Sequence, residues 1–248
     1  MADLERLYRR LPPTLQSLAC SWQGWRIQRR RYNKDFHSLL ATCQSRGALS
    51  ESELTAFRDE RLRSFIQHAA QTTPYYRPRL EECGVSAEDI RSLDDLQRLP
   101  VLSKAEVQEN LTHLRSSQFA GHDTITTHTS GTTGRGLIFP VTLSAEREQW
   151  AIWWRYRIEH GIDIDTPCGV FGGRAIVSAQ ASKPPFWRYN SPARQILFSG
   201  YHLSEENLPA YVAEIRRSRL TWLHGYPSHL TLLAAHILDS GRDPGFQV

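Results

Sequence analysis

The sequence predicts an α/β protein in which a helical N-terminal region is followed by a βαβ-type sheet. Residues 1–110 contain apolar side chains at helical spacing and two capping boxes, Ser50 with Glu53 and Ser103 with Glu106. After residue 124, short apolar runs alternate with amphipathic stretches, a pattern typical of strands joined by helices. We therefore divide the chain into a helical region, 1–110, and an α/β portion, 111–248.

The α/β portion contains short candidate strands, each followed by a glycine, a turn or a helix start. In chain order they are residues 124–127, 137–142, 170–171, 195–198 and 221–225. Helices are predicted to begin at Ser144 and near Asn207, and a third, carrying Leu230 and Ile237, is predicted to stop at residues 239–241. Residues 246–248 resemble the opening of a further strand.

Composition bounds the classes of function. Of 248 residues, 40% are hydrophobic and seven are Trp, which is typical of a globular protein. The excess of 30 Lys and Arg over 26 Asp and Glu is mild, and it fits a small anionic substrate as readily as nucleic acid. The four cysteines lie far apart and predict neither a zinc site nor a disulfide framework. We expect a cytoplasmic protein with no transmembrane segment, no cleaved signal and no nucleic-acid partner.

Residues 127–136, Thr-His-Thr-Ser-Gly-Thr-Thr-Gly-Arg-Gly, combine hydroxyl side chains with glycines. Glycine lets a backbone approach a phosphate closely, while hydroxyls and backbone N–H groups donate hydrogen bonds to it. A Walker A loop is excluded because Arg135-Gly136-Leu137 stands where Lys and Ser or Thr are needed, and the glycine order argues against a dinucleotide fingerprint. The predicted phosphate-binding residues are Thr129, Ser130, Gly131, Thr132, Thr133 and Gly134.

These six residues resemble the T/S-S-G-T-T-G signature of the acyl-adenylate-forming superfamily, which includes acyl-CoA synthetases. The usual x-P-K continuation is replaced by Arg135-Gly136-Leu137, which is similar to the phenylacetate-CoA ligase branch. Residues 73–77, Thr-Pro-Tyr-Tyr-Arg, and 99–104, Leu-Pro-Val-Leu-Ser-Lys, also resemble that branch. The resemblance implies ATP, Mg²⁺ and CoA as cofactors and a small-molecule carboxylate as substrate. It also implies the fold of an incomplete N-terminal domain of such an enzyme.

The superfamily further carries an acidic Tyr-Gly-x-Thr-Glu element, whose Glu binds Mg²⁺, and a mobile domain with a catalytic Lys. Neither is found in these 248 residues. The resemblance therefore leaves catalytic residues and metal ligands unassigned, and it implies that residues 1–248 alone are inactive. A homodimer of the complete protein is a further expectation.

A second candidate site comes after the strand at 221–225, where a strand ends and a helix begins. Ligands of parallel α/β sheets bind at this position, so Trp222, His224, Gly225 and Tyr226 are predicted to line an acyl pocket. The same residues are also compatible with a Gly-Pro turn that leads into the helix and binds no ligand. Gly172-Gly173-Arg174 is a similar strand-end loop, in which a surface role for Arg174 is favoured.

Two aromatic patterns are interpreted as structural. Trp150, Trp153 and Trp154 share a helix face, which favours core packing over a substrate wall. Trp22 and Trp25 lie beside arginines at positions 26, 29, 30 and 31. A solvated helix, docking on a partner at most, is favoured there over contact with nucleic acid or an anionic membrane.

The function predicted from the sequence is that of the N-terminal part of an AMP-forming carboxylate-CoA ligase that acts on an aryl or acyl acid. A catalytically inactive nucleotide-binding or interaction module remains an alternative. So does an adenylating ligase whose acceptor is not CoA.

Overall fold

The computed structural model describes residues 2–119, 124–129, 136–241 and 243–247. The helices are α1 (Ala2–Arg10), α2 (Pro13–Arg31), α3 (Lys34–Ser45), α4 (Glu51–Thr72), α5 (Tyr76–Glu82), α6 (Lys104–Glu109), α7 (Leu143–Glu159), α8 (Leu208–Arg217) and α9 (Pro227–Asp239). The strands are β1 (Thr124–His128), β2 (Ile138–Thr142), β3 (Cys168–Gly172), β4 (Trp187–Asn190), β5 (Gln195–Ser199) and β6 (Trp222–Gly225).

The chain divides into two compact units, and one of them contains both terminal parts of the sequence. The first unit comprises residues 1–33 and 153–248, and the second comprises residues 34–152. The predicted boundary at residue 110 does not follow these two units; it marks the change from helices to strands along the sequence. As a domain boundary, it stays a prediction.

The first unit is built on a four-stranded sheet with the order β4-β5-β3-β6. Strands β5 and β6 both run parallel to the central β3, while β4 is antiparallel to β5. The chain passes from β5 through α8 to β6, so the predicted βαβ crossover is present. Its α8 has Pro209 within its first turn, where no intrahelical N–H partner is needed.

The core of this unit packs side chains of the sheet against α8 and α9. The rings of Phe171 and Phe198, on neighbouring strands, stack with centroids 4.6 Å apart. Tyr211 of α8 is fully buried against them, and its hydroxyl donates to the Ser199 carbonyl oxygen at 2.7 Å. That hydrogen bond satisfies the one polar group that the buried ring carries.

Helix α2 closes the β4 edge of the sheet. The Tyr189 backbone N–H donates to the Ser17 hydroxyl at 3.3 Å, and the Ser21 hydroxyl donates to the Tyr189 carbonyl oxygen at 3.2 Å. Serines four residues apart share a helix face, so one helix reaches both outward backbone groups of the strand. Gly24 lies directly against the Asn190 side chain, where any Cβ would overlap it.

The second unit contains the β1–β2 hairpin and helices with the predicted caps. Ser50 caps α4, accepting from the Glu53 N–H at 3.3 Å while its own N–H donates to the Glu53 carboxylate at 2.7 Å. These hydrogen bonds lower the Glu53 pKa. The Ser103–Glu106 box caps α6 in the same way. A core of Ile66, Leu80, Val85 and Ile90 packs α4 against the next part of the chain.

The predicted α/β class is confirmed, and the strand predictions fall on β1, β2, β3, β5 and β6. Two details differ. Strand β4 was not predicted, because its polar residues Arg188 and Asn190 interrupt any apolar run although both are buried. The strand predicted at 246–248 is wrong for its described residues: 246 and 247 lie outside any strand, and Phe246 packs against the core instead.

Candidate functional site

The β1–β2 hairpin carries the predicted phosphate loop. The two strands pair antiparallel from Thr124 opposite Thr142 to His128 opposite Ile138. One step further, the Thr129 N–H donates to the Leu137 carbonyl oxygen at 3.0 Å. The loop therefore begins and ends at a closed, hydrogen-bonded base. Ser130, Gly131, Thr132, Thr133 and Gly134 lie outside the described residues, so their phosphate contacts remain predictions.

Thr129 has a second bond in this base. Its hydroxyl oxygen accepts from the Leu137 N–H at 2.9 Å. A hydroxyl that accepts one hydrogen bond still has a proton to donate. Thr129 thus fixes the loop ends, and its predicted donation to phosphate is compatible with that role.

A second cluster lies at the carboxyl ends of the three parallel strands. The pairing register places Gly172 of β3 beside Ser199 of β5, and Phe171 beside Gly225 of β6. Beyond β6, the Tyr226 N–H donates to the Phe171 carbonyl oxygen at 3.1 Å. The residues just after each strand consequently meet at one edge, which is the usual ligand position in such sheets.

Glycines at this edge make room for aromatic rings. A Cβ on Gly173 would lie 3.0 Å from the Tyr226 ring, and one on Gly200 would lie 2.8 Å from His229 Nδ1. The Tyr226 and His229 rings meet edge to face, with centroids 5.5 Å apart. Tyr201 also reaches this edge, where its hydroxyl donates to the Gly173 carbonyl oxygen at 3.2 Å. We call Tyr201, Tyr226 and His229 the strand-end cluster.

The strand-end cluster combines exposed rings with buried, hydrogen-bonded neighbours. Tyr201 and Tyr226 are exposed. Beneath them, the buried Ser199 hydroxyl and His202 Nδ1 are hydrogen-bonded at 2.8 Å, and the His202 ring stacks on Phe186 at 4.7 Å. His229 Nδ1 is buried and has no hydrogen-bond partner among the described residues. The cluster thus offers two phenol rings and an imidazole to a ligand.

The structure separates the four residues predicted to line the acyl pocket. Gly225 and Tyr226 reach the strand-end cluster. Trp222 begins β6 and packs on α7, where its ring lies 6.1 Å from that of Trp154 and 5.1 Å from the Arg157 guanidinium. His224 lies next to Trp222, with ring centroids 5.8 Å apart. Partial desolvation, and then the charge of Arg157, lower the His224 pKa.

The site residues predicted from the sequence do not include Gly200, Tyr201 or His229. A signal for Gly200 and Tyr201 exists, because a Gly-Tyr pair stands at the end of both strands: Gly200-Tyr201 follows β5, and Gly225-Tyr226 spans the last residue of β6 and the next. Of the predicted tryptophan face, Trp154 is buried as core, whereas Trp153 is exposed.

The described residues contain no group of three or more His, Cys, Asp or Glu side chains that could hold a metal ion. All four cysteines are free thiols, and burial raises the Cys168 pKa to about 12. In the described ranges, no helix is both long and apolar enough to cross a membrane.

Comparison with known proteins finds similar sequences and a shared fold. The chain is 24% identical to protein CapK of Staphylococcus aureus over 243 residues, which are 98% of this chain and 52% of CapK. It is 32% identical to the phenylacetate-coenzyme A ligase of Aromatoleum evansii over 105 residues, or 41% of this chain and 23% of the ligase. These partial matches and the shared fold support a member of the acyl-adenylate-forming superfamily.

The chain matches the N-terminal part of these relatives and spans about half the length of CapK. No family model matches it. Its fold is shared with 2-hydroxyisobutyryl-CoA ligase in an open conformation, in complex with 2-HIB-AMP and CoA. That likeness has a TM-score of 0.54 at 19% identity, and it covers 80% of this chain and 47% of the ligase.

Proposed function

We propose that the natural protein carrying these residues activates a small carboxylic acid with ATP and transfers the acyl group to the thiol of CoA. The closed hairpin base around the Gly/Ser/Thr loop carries this proposal. The names of the relatives add support, because the Aromatoleum protein is a phenylacetate-coenzyme A ligase and the structural neighbour is an acyl-CoA ligase.

In the first step, a carboxylate oxygen attacks the α-phosphorus of ATP, and the bond to the bridging oxygen of pyrophosphate breaks. The products are an acyl adenylate and pyrophosphate. Ser130, Thr132 and Thr133 are proposed to donate hydrogen bonds to the β- and γ-phosphates, together with the N–H groups of Gly131 and Gly134. Such donors hold the charge that develops on the leaving group and require no covalent intermediate with the protein.

In the second step, the sulfur of CoA attacks the acyl carbon, the thiol proton is lost, and AMP leaves with the electrons of the broken C–O bond. The strand-end cluster is proposed to line the pocket for the acid, because phenol rings bury an apolar acyl group well. No step is assigned to Mg²⁺. The acceptor CoA, the aryl or acyl nature of the acid, a cytoplasmic location and a homodimer all belong to this proposal.

The first test is acid-dependent exchange of labelled pyrophosphate into ATP by the natural gene product. Thr133→Val removes one donor to a phosphate, and we expect exchange to slow by about one to two orders of magnitude, since such a bond contributes roughly 1.5–3 kcal/mol. Thr133→Ser keeps the hydroxyl and should retain most of the rate. Unchanged exchange in the valine variant would contradict the assignment of the loop.

The second test measures the same exchange with a panel of aryl and short aliphatic acids. Tyr226→Ala should change the ratio of rates between acids by about tenfold, or roughly 1.4 kcal/mol, with little change in the KM for ATP. Tyr156→Ala is the matched control, because Tyr156 is also exposed but lies on α7. If acid preference is unchanged in Tyr226→Ala while stability falls, the strand-end cluster is a structural turn only.

A further inference from the structure

Helix α2 presents an apolar stripe to solvent. Leu15, Leu18, Trp22 and Trp25 have a spacing of three, four and three residues, which places them on one helix face. Leu18 is 64% exposed and Trp22 is 59% exposed, although residues of these types are normally buried. We call these four residues the Leu–Trp stripe.

The stripe is not the face by which α2 packs on the sheet. That face carries Ser17, Ser21 and Gly24, which contact β4. At about 100° per residue, the middle of this packing face lies roughly 110° around the helix from the middle of the stripe, so the two faces are adjacent but distinct. The helix is therefore folded and fixed by one face while its apolar face remains outward.

Positive charge accompanies the stripe. The α2 sequence contains four arginines and no Asp or Glu. The Arg26 guanidinium lies 4.9 Å from the centre of the Trp22 ring, and that of Arg29 lies 5.0 Å from Trp25. Such cation–π pairs hold the charges beside the exposed rings.

We propose that α2 docks on the surface of an anionic phospholipid bilayer and lies along it. Tryptophan suits the boundary between headgroups and acyl chains because its ring is apolar and its N–H is polar. Arginine binds phosphate through its planar fork of donors. An apolar stripe edged by arginines on a preformed helix matches both requirements at once.

Other occupants fit less well. A second copy of the chain would bring two basic helices together, at a cost in electrostatic repulsion. Further polypeptide that extends the sheet would add to β6, whose outer side has no strand in the described part of the chain, whereas α2 lies at the opposite edge. The exposed stripe and its charge complementarity thus select an anionic surface, whereas the short basic run in the sequence alone favours a solvated helix.

The test is co-sedimentation of the purified protein with phospholipid vesicles at about 0.1 M salt, where screening still leaves surface attraction measurable. One set is pure phosphatidylcholine, and the other contains about 30% phosphatidylglycerol to supply a negative surface. We expect binding to the anionic set only, falling as salt is raised. Trp22→Ser with Trp25→Ser should weaken partitioning by about tenfold or more, because the apolar contribution is lost.

Arg26→Gln with Arg29→Gln should also weaken binding by about tenfold, since each surface arginine strengthens attraction to anionic lipid. Two matched controls should bind as wild type: Leu232→Ser with Leu238→Ser removes exposed leucines of α9, and Arg63→Gln with Arg98→Gln removes exposed charges elsewhere. Circular dichroism checks that every variant is folded.

The proposal is overturned if wild type ignores anionic vesicles or binds neutral ones equally well. It is also overturned if the stripe variants bind as wild type, or if sedimentation velocity shows that the stripe joins two copies of the chain.

Discussion

The two edges of the four-stranded sheet differ in how their backbone groups are bonded. At β4, the outward N–H and carbonyl groups of Tyr189 are both bonded to hydroxyls of α2. At β6, the described part of the chain supplies a strand on one side only. Tyr226 and His229 of the strand-end cluster belong to the β6 side.

The two edges of the sheet thus have different roles: the β4 edge is packed and hydrogen-bonded, and the β6 side carries groups suited to binding a ligand. Backbone groups that are already hydrogen-bonded are not available to a further strand, so α2 prevents the sheet from being extended beyond β4. The closeness of fit at Gly24 makes that boundary intolerant of change. Residues near β6 include exposed rings and a histidine with a shifted pKa, which are the groups that a binding site uses.

The largest expected effect comes from filling the contact between α2 and β4. Gly24→Ala should lower the free energy of unfolding by about 2–3 kcal/mol, because its new Cβ overlaps the buried Asn190 side chain. Asn190→Ala removes the overlapping atoms. In that background, the same change should be neutral or stabilising by up to about 1 kcal/mol, since alanine favours a helix more than glycine does.

Urea unfolding of the four proteins in this cycle measures the coupling between positions 24 and 190. Gln23→Ala, an exposed change on the same helix, should stay within about 0.5 kcal/mol of wild type. If Gly24→Ala costs the same in both backgrounds, the overlap with Asn190 is not the contact that fixes α2 on the sheet.

A smaller effect is expected from removing the two serine hydroxyls. Ser17→Ala with Ser21→Ala should cost about 1–2 kcal/mol, the combined contribution of three partly exposed side chain–backbone hydrogen bonds, two to Tyr189 and one from the Ser191 N–H. It should also make the β4 edge resemble the β6 edge, so we expect association that increases with protein concentration. Unfolding and sedimentation velocity measure the two effects.

Thr14→Ala on α2 is the control, because Thr14 is exposed and lies in the first turn of the helix. If the serine double variant is as stable and as monomeric as this control, then steric cover by α2, and not its hydrogen bonds, keeps the β4 edge from pairing with another strand.

Much of the β6 side could be predicted from the sequence, and little of the β4 side could. Strands β3, β5 and β6 carry apolar runs, and the turn after β6 has a Gly-Tyr-Pro pattern that identifies a strand end. Strand β4 instead contains Arg188, whose Nη1 donates to the Pro185 carbonyl oxygen at 2.9 Å and whose Nε donates to Gln16. Those partners satisfy a buried charge that the sequence pattern marks as exposed.

The hydrogen bonds between α2 and β4 join residues about 170 positions apart, and no local sequence pattern indicates such a pair. The site shows the same limit. The sequence correctly predicts Tyr226 at the end of a strand. The alternation of residues along a strand, however, does not reveal which element packs against the side chains of Trp222 and His224. Trp222 and His224 therefore turned out to lie beside α7.

The smallest effect concerns the charge near β6. Partial desolvation and the Arg157 guanidinium hold the His224 pKa below its ordinary value. The unfolded chain then binds the proton more readily than the folded one, so this site loses stability as pH falls through the ordinary histidine range towards the lower folded pKa. Arg157→Gln should raise the pKa by removing the charge, while Arg157→Lys should leave it nearly as low. Titration of the His224 ring proton by NMR distinguishes these outcomes.

At β4, oxygen atoms surround Arg188, but at β6, the Arg157 charge lies over the Trp154 and Trp222 rings and acts on a neighbouring imidazole. An unshifted His224 in wild type, or equal pKa values in the glutamine and lysine variants, would remove this electrostatic contrast between the two edges.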